Sequence, residues 1–192
     1  MEKLIVASNN SGKITEIKEL LSGLYEVRSL ADENIVSDPE ETGSTFEENA
    51  FIKAEAVYRL TGCACLADDS GLIVDVLDGA PGVYSARYAG EPSDSAKNNA
   101  LLLANMEGKS DRTARFECAV VLYKSPEDVL TGVGAVEGRI LDAPCGSGGF
   151  GYDPLFFCDD LQKSFGVASR EEKNSVSHRA RALKQLMEKV RT

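Results

Sequence analysis

The chain lacks any apolar run approaching the roughly 20 residues that a membrane span requires, so no membrane association is expected. Its start, Met1-Glu2-Lys3-Leu4-Ile5-Val6, leads straight into a strand-like run without a signal-peptide pattern. Basic residues are outnumbered 21 to 31, for a net charge of −10. No basic stripe is present, which excludes the electrostatic footprint of a nucleic-acid binder. The five cysteines, Cys63, Cys65, Cys118, Cys145 and Cys158, are odd in number, and Cys63-Ala64-Cys65 lacks the two-residue gap of zinc or redox pairs. They read as small core residues in a reducing, cytoplasmic setting. Internal repeats and low-complexity segments are missing too. What is there is an ordinary globular composition, 43% hydrophobic and 27% charged, over 192 residues. That suffices for a sizeable core in one domain, or one domain with two lobes.

Apolar periodicity gives the order of elements. Lys3–Ala7 reads as a strand, and Ile14, Ile17, Leu20 and Leu21 then recur at helical spacing up to Gly23. Tyr25–Leu30 is a second strand candidate, and Asp32–Thr42 a polar loop. Ser44-Thr45-Phe46-Glu47 fits a capping box that opens a helix running to about Thr61 and ended by Gly62. On that helix Phe46, Ala50, Ala54 and Val57 form one face, with Asn49 and Lys53 beside it. Strands are expected at Ala64–Asp68 and Leu72–Val76, separated by a turn at Ser70-Gly71. A loop at Gly79–Gly90, a helix at Asp94–Met106 and a hairpin of Arg115–Lys124 with Val129–Glu137 follow. A glycine-rich loop at Ala143–Asp153 leads to a short strand at Pro154–Cys158, and Ser177–Val190 closes the chain as a helix with Ser177 as N-cap. Early βα units and a later hairpin imply an α/β fold with a mixed sheet.

The densest chemistry is Ala67-Asp68-Asp69-Ser70-Gly71. Neighbouring strand residues point to opposite faces, so a turn starting at Asp69 is needed to bring both carboxylates to one edge. Buried carboxylates are costly unless a cation meets them, and magnesium, with its hard oxygen ligands, suits them. The plain alternative is a surface turn capped by Asp and Ser. Ser8-Asn9-Asn10-Ser11-Gly12-Lys13 lies between strand and helix, where backbone amides hold anions and Lys13 can reach a phosphate. It is not a P-loop, since the first glycine is missing and Ile14 stands where Ser or Thr would bind metal. A simple capping turn is the other reading. Glu41 precedes the second helix and serves either its dipole or a site. Lys53 either snorkels to solvent or faces a cleft. Phe150, among the glycines Gly148, Gly149 and Gly151, either stacks on a flat ring or fills the core. The lone histidine, His178, precedes Arg179 at the start of the last helix. Cations are disfavoured there by the dipole, which favours a ligand as the reason for Arg179.

Taken together, six blocks resemble the inosine/xanthosine triphosphate pyrophosphatase family. They are Ser8–Lys13, Glu41–Ala54, Ala67–Leu72, Gly79–Gly90, Gly148–Phe156 and Lys173–Arg179, in order over nearly the whole chain. The first block departs from a frequent Thr-Gly-Asn but keeps its polar groups and Lys13. The resemblance implies a single catalytic domain, 1–192, with a strongly twisted mixed sheet flanked by helices and two lobes around a central cleft. It implies magnesium-dependent hydrolysis of ITP, dITP or XTP to the monophosphate and pyrophosphate by a cytoplasmic homodimer, with the Gly79–Gly90 loop near the dimer interface.

By the same resemblance Glu41, Asp69 and Asp68 hold the metal and Asp69 is the base for the attacking water. Ser8, Asn9, Asn10, Ser11, Gly12, Lys13, Lys53 and Ser70 hold the triphosphate. Donors from His178 and Arg179, with backbone amides near Phe150, Gly151, Tyr152 and Asp153, donate to the purine 6-oxygen, and Asp153 and Lys173 stand at the 2-position edge. An unmatched buried donor costs about 1–3 kcal/mol, which rejects the adenine amine. Two competing readings are a pyrophosphatase for pyrimidine triphosphates and a nucleotide-binding regulatory module without turnover.

Overall fold

A computed structural model describes residues 1–191. Seven strands, β1 (Glu2–Val6), β2 (Tyr25–Ser29), β3 (Cys65–Val74), β4 (Thr113–Ser125), β5 (Asp128–Ile140), β6 (Phe156–Cys158) and β7 (Lys163–Ser164), form one sheet in the order β2-β1-β3-β4-β5-β6-β7. The sheet is mixed: β1 is parallel to β2 and β3, while β6 is antiparallel to β5 and β7 to β6. Five helices accompany it, α1 (Ser11–Leu20), α2 (Phe46–Thr61), α3 (Ser95–Asn105), α4 (Arg170–Val176) and α5 (His178–Val190). None of the described helices is long and apolar enough to cross a membrane.

The chain divides into two compact units, with the division falling inside β3, β4 and β5. The first unit comprises Met1–Asp69, Cys118–Gly134 and the chain from Arg179 onward. It is built as β1-α1-β2-α2-β3, and the register Val6↔Ser29 and Val6↔Leu66 sets β1 in the middle. The alternation of apolar residues fills two layers. Leu4, Val6 and Leu66 pack with Ile17 of α1, Leu21 just after it, and Ala182, Leu183 and Leu186 of α5. Ile5, Ala7, Cys65 and Ala67 pack with Ala50, Ala54 and Val57 of α2 on the opposite face. Since α1 leads outward from β1 and α2 carries the chain back past it to β3, the strand order reverses between β1 and β3. That is a topological switch point, where α/β sheets take their ligands beyond the strand carboxyl ends.

The second unit, Ser70–Glu117 and Ala135–His178, has its own core. Leu72, Val74, Leu102, Met106, Val136, Ile140 and Leu155 surround a cluster of Phe116, Phe156 and Phe165. Its Phe116–Phe156 ring centroids lie 4.7 Å apart, a distance at which aromatic pairs add to simple burial.

Two local expectations are corrected. Ser70-Gly71 makes no turn, and β3 continues through both residues. A Ser-Gly pair bends a chain whose amides are free to turn, whereas β3 runs on here as a strand beside β4, and Leu72 N is held by Ser85 Oγ. The capping box is one residue later than Ser44/Glu47: Thr45 is the N-cap, its hydroxyl accepts from Glu48 N, and Glu48 answers. Ser177 also closes α4, its N–H donating to Lys173 O, and its extended backbone stands immediately before α5 at His178, the position expected of an N-cap. The helix α4 itself went unread, although Ser169 and Glu172 carry a capping box.

The cap register has a direct test. Thr45→Ala is expected to cost about 1 kcal/mol in urea unfolding, and Ser44→Ala distinctly less. A reversal of that order would place the cap at Ser44.

Candidate functional site

The first unit gathers its charges where β1 has ended. The last backbone bond from that end, Ala7 N to Leu66 O, leaves Asp68 and Asp69 projecting past the carboxyl end of β1. Because β3 is unbroken there, the two carboxylates go to opposite faces and each meets a lysine from the helix on its own side. On the α1 face, Lys13 Nζ lies 3.1 Å from Asp68 Oδ2. On the α2 face, Lys53 Nζ lies 3.0 Å from Asp69 Oδ1 and 3.1 Å from Glu41 Oε1. Thus Glu41 and Asp69 share one cation. Glu41, Asp68 and Asp69 all act on Lys53, Asp68 at longer range than the other two.

Asp68 also belongs to a buried ion cluster. Arg179, only 1% exposed, donates from Nε and Nη2 to Asp68 Oδ2 at 3.1 and 3.0 Å, and its Nη1 meets Glu16 of α1. Arg179 was expected at the edge of a base, and a contact of that kind falls to the N–H groups that these two carboxylates do not take. Glu16 carried no signal beyond its place beside Ile17, and its partner is remote in sequence. Cys118 Sγ, 4.0 Å from the same Asp68 oxygen, has its thiol pushed up to about 12 by burial, chiefly, and by Asp68. Like Cys65, it is an inert core thiol.

The adjacent carboxylates are driven apart in acidity. Burial pushes Asp68 up, but Lys13, Arg179 and Lys53 outweigh it and hold the carboxyl well below the usual range. Burial prevails at Asp69, with Glu41 adding to it against Lys53 and Lys13, so this carboxyl is raised. Burial lowers the Lys53 ammonium, yet Asp69, Asp68 and Glu41 together raise it. A permanently ionised acid beside one with raised proton affinity is the pattern of divided acid–base duties.

The Ser8–Lys13 segment turns from β1 into α1. Asn10 is the N-cap, its Oδ1 accepting from Lys13 N at 3.1 Å, and Ser8 Oγ accepts from Asn10 N at 3.2 Å. Asn9 Nδ2 donates to Ser37 O at 3.2 Å. Ser11 is exposed and Gly12 half-buried at the helix start. Capping is therefore present, and the free amides of that helix end remain available to an anion.

In the second unit, Ser70 is half-buried in β3 and Asp153 organises the glycine-rich loop. Asp153 Oδ2 accepts from Phe150 N at 2.8 Å and from Lys173 Nζ at 2.6 Å. The buried ammonium of Lys173 also lies 4.5 Å from the centre of the half-buried Phe150 ring. Gly151 O accepts from Asn99 Nδ2 at 3.1 Å. Tyr152 is buried and its hydroxyl donates to Ser85 O at 2.6 Å, so it anchors the loop through its side chain. His178 stacks on Phe116 at 5.0 Å.

A parallel β-α-β-α-β core with cationic and acidic side chains at its switch point defines an α/β protein built to take an anionic ligand at its strand ends. The chain belongs to the Ham1 family, whose model matches residues 4–189. It is 51% identical over 185 residues to a dITP/XTP pyrophosphatase of Exiguobacterium sp., covering 96% of this chain and 94% of that one. It is 48% identical over 189 residues to the dITP/XTP pyrophosphatase of Bacillus subtilis, covering 97% and 96%. The Ham1 protein of Staphylococcus aureus has a similar structure, with a TM-score of 0.88 at 39% identity over 99% of this chain and 98% of that one.

The buried cluster makes a stability prediction. Asp68→Asn removes one of the two carboxylates that Arg179 meets and is expected to cost about 3–5 kcal/mol. The Asp68 carboxyl ionises more readily folded than unfolded, so its contribution is complete above the unfolded value near ~4 and fades as pH falls toward the folded one. Urea melts between roughly pH 5 and pH 2 should therefore show the native chain losing stability faster than D68N. Parallel pH slopes would remove Asp68 from this linkage.

Proposed function

We propose that the chain hydrolyses non-canonical purine nucleoside triphosphates, ITP, dITP and XTP, to the monophosphate and pyrophosphate. The observation that carries this reading is the pair Glu41 and Asp69 converging on Lys53 at the switch point, in a chain alike over its length to dITP/XTP pyrophosphatases. The donor chemistry fits magnesium, which takes one or two carboxylates together with phosphate oxygens. Glu41 and Asp69 would hold it, and when bound it offsets the charge of the triphosphate. Asp68 stands nearby and keeps Lys13 in place.

The amides and side chains of Ser8–Lys13, with Lys13, Lys53 and Ser70, bind the phosphates. Asp69 accepts the proton of the water that attacks the α-phosphorus, and pyrophosphate leaves. No covalent intermediate is required, because orientation and charge stabilisation supply most of the acceleration in phosphoryl transfer. In the second unit Phe150 offers a face to the purine, and Lys173, His178 and the amides of the Phe150–Asp153 segment offer donors to oxygens on it. Arg179 offers the base the N–H groups that Asp68 and Glu16 do not take.

The five free cysteines suit a reducing compartment, and the family resemblance supports a cytoplasmic homodimer without nucleic-acid or membrane partners.

Pyrophosphate release from equal concentrations of ITP, XTP, ATP, GTP and dTTP, with and without magnesium, tests the reading. Magnesium-dependent release from ITP and XTP, with ATP and GTP far slower, is the expected result. A preference for dTTP would move the chain to pyrimidine substrates, and no release at all would leave a binding module. Asp69→Asn should keep cooperative thermal unfolding and lower turnover by about 10²–10⁴-fold. Near-native turnover would end its assignment as base.

A further inference from the structure

Asn49 is completely buried and stands one helical turn before Lys53 on α2. Side chains four residues apart share a helix face. Both therefore reach the same carboxylate: Lys53 Nζ bonds Asp69 Oδ1 at 3.0 Å, and Asn49 Nδ2 donates to Asp69 Oδ2 at 3.3 Å. The other end of the Asn49 amide accepts from Gly43 N at 2.8 Å. A backbone N–H can only donate, so the amide has one sensible orientation, oxygen to Gly43 and nitrogen to Asp69.

Gly43 sits just after Glu41 and Thr42 in the loop that leads into α2. The residues that follow it are fastened to the same turn of the helix, with Glu48 Oε2 accepting from Ser44 N at 2.6 Å and Thr45 N at 3.2 Å. There is no space for a side chain at Gly43. A Cβ there would meet Asn49 Oδ1 and Glu48 Cβ at 2.6 Å. The loop carrying Glu41 is thus drawn against α2 to the closest approach the backbone allows, and Asn49 is the contact that joins it to Asp69.

We propose that Asn49 is a positioning residue for the acid pair: one amide sets both the Asp69 carboxylate and the Glu41 loop, so that the two carboxylates face a single cation. It acts through Asp69 and Gly43. This rests on the reading of Glu41 and Asp69 as the magnesium-holding pair. A buried asparagine that only satisfied two polar groups would affect stability and leave metal affinity alone. Partners that orient metal ligands from behind typically contribute 10–100-fold to affinity or activity.

The experiment is calorimetric titration of Mg²⁺ into the full-length protein without nucleotide, for the native chain, Asn49→Ala and Gly43→Ala, with thermal unfolding of each. Asn49→Ala is expected to weaken Mg²⁺ binding by about 10–100-fold while unfolding cooperatively. Gly43→Ala should weaken it in the same direction, since its Cβ presses on Asn49 Oδ1 and displaces the loop from that amide. Turnover of ITP should fall at low Mg²⁺ and recover as Mg²⁺ rises, with KM for ITP at saturating Mg²⁺ within about threefold of native. Native Mg²⁺ affinity in a folded Asn49→Ala chain overturns the proposal while leaving the magnesium reading intact. If Asn49→Ala fails to fold, Gly43→Ala decides by the same criterion. If the native chain takes up no Mg²⁺, the magnesium reading itself fails and the role of Asn49 falls with it.

Discussion

A buried guanidinium with no carboxylate to meet it would be untenable, and the first unit is arranged around that fact. Arg179 lies in the first turn of α5, where the helix dipole repels a cation, and it is almost wholly excluded from solvent. Asp68 of β3 and Glu16 of α1 answer it, so one side chain ties the closing helix to the central strand and to the opening helix. Such clusters are weak arguments for stability, because desolvation consumes much of the attraction. What they fix here is arrangement. Asp68 has Lys13 and Arg179 on the same oxygen, and Lys13 is thereby set at the mouth of the Ser8–Lys13 turn.

The continuity of β3 does the rest. In a strand, adjacent side chains face opposite layers, and a one-residue slip would exchange them. Asp68 is committed to the α1 and α5 layer with Leu66, and Asp69 to the α2 layer with Ala67. Two acids adjacent in sequence therefore have different nearest cations. Asp68 has Lys13 and Arg179 and is held ionised, whereas Asp69 shares Lys53 with Glu41 and is raised. A turn at Ser70-Gly71 would have merged these surroundings and lost the distinction.

How far the sequence could be read follows the range of the interactions. The opening β-α-β-α-β order and the end of α2 at Gly62 rest on local periodicity and backbone preference, and they were legible. The charged segments of the site were legible as well, since lysine, aspartate and glycine-rich turns stand out beside apolar runs. The capping register was missed by one residue because Ser44 and Thr45 are both competent caps, and Glu48 settles the choice through its carboxylate. The position of Arg179 was not legible. Its partners are 111 and 163 residues away, and no local rule says that an arginine at a helix start meets two acids rather than a ligand. Asn49 was visible only as a polar residue beside an apolar stripe, because its role depends on a loop and a strand meeting at one amide.

The acidic balance of the chain raises a last question, how a protein of net charge −10 receives a polyanion. Net charge acts over a Debye length and is screened by salt, while a bound triphosphate responds to the charges within a few ångströms. At the switch point those are Lys13, Lys53 and the amide end of α1, with both lysine side chains only 15% exposed and so weakly screened. Their carboxylate partners are of two kinds. Lys13 and Arg179 face Asp68 and Glu16, two cations against two acids, so that cluster is neutral. Glu41 and Asp69 outnumber Lys53, and that excess of one negative charge is what a divalent ion would reverse. The site is therefore balanced so that metal and phosphate each improve the electrostatics for the other, and the surplus of surface acid elsewhere does not enter.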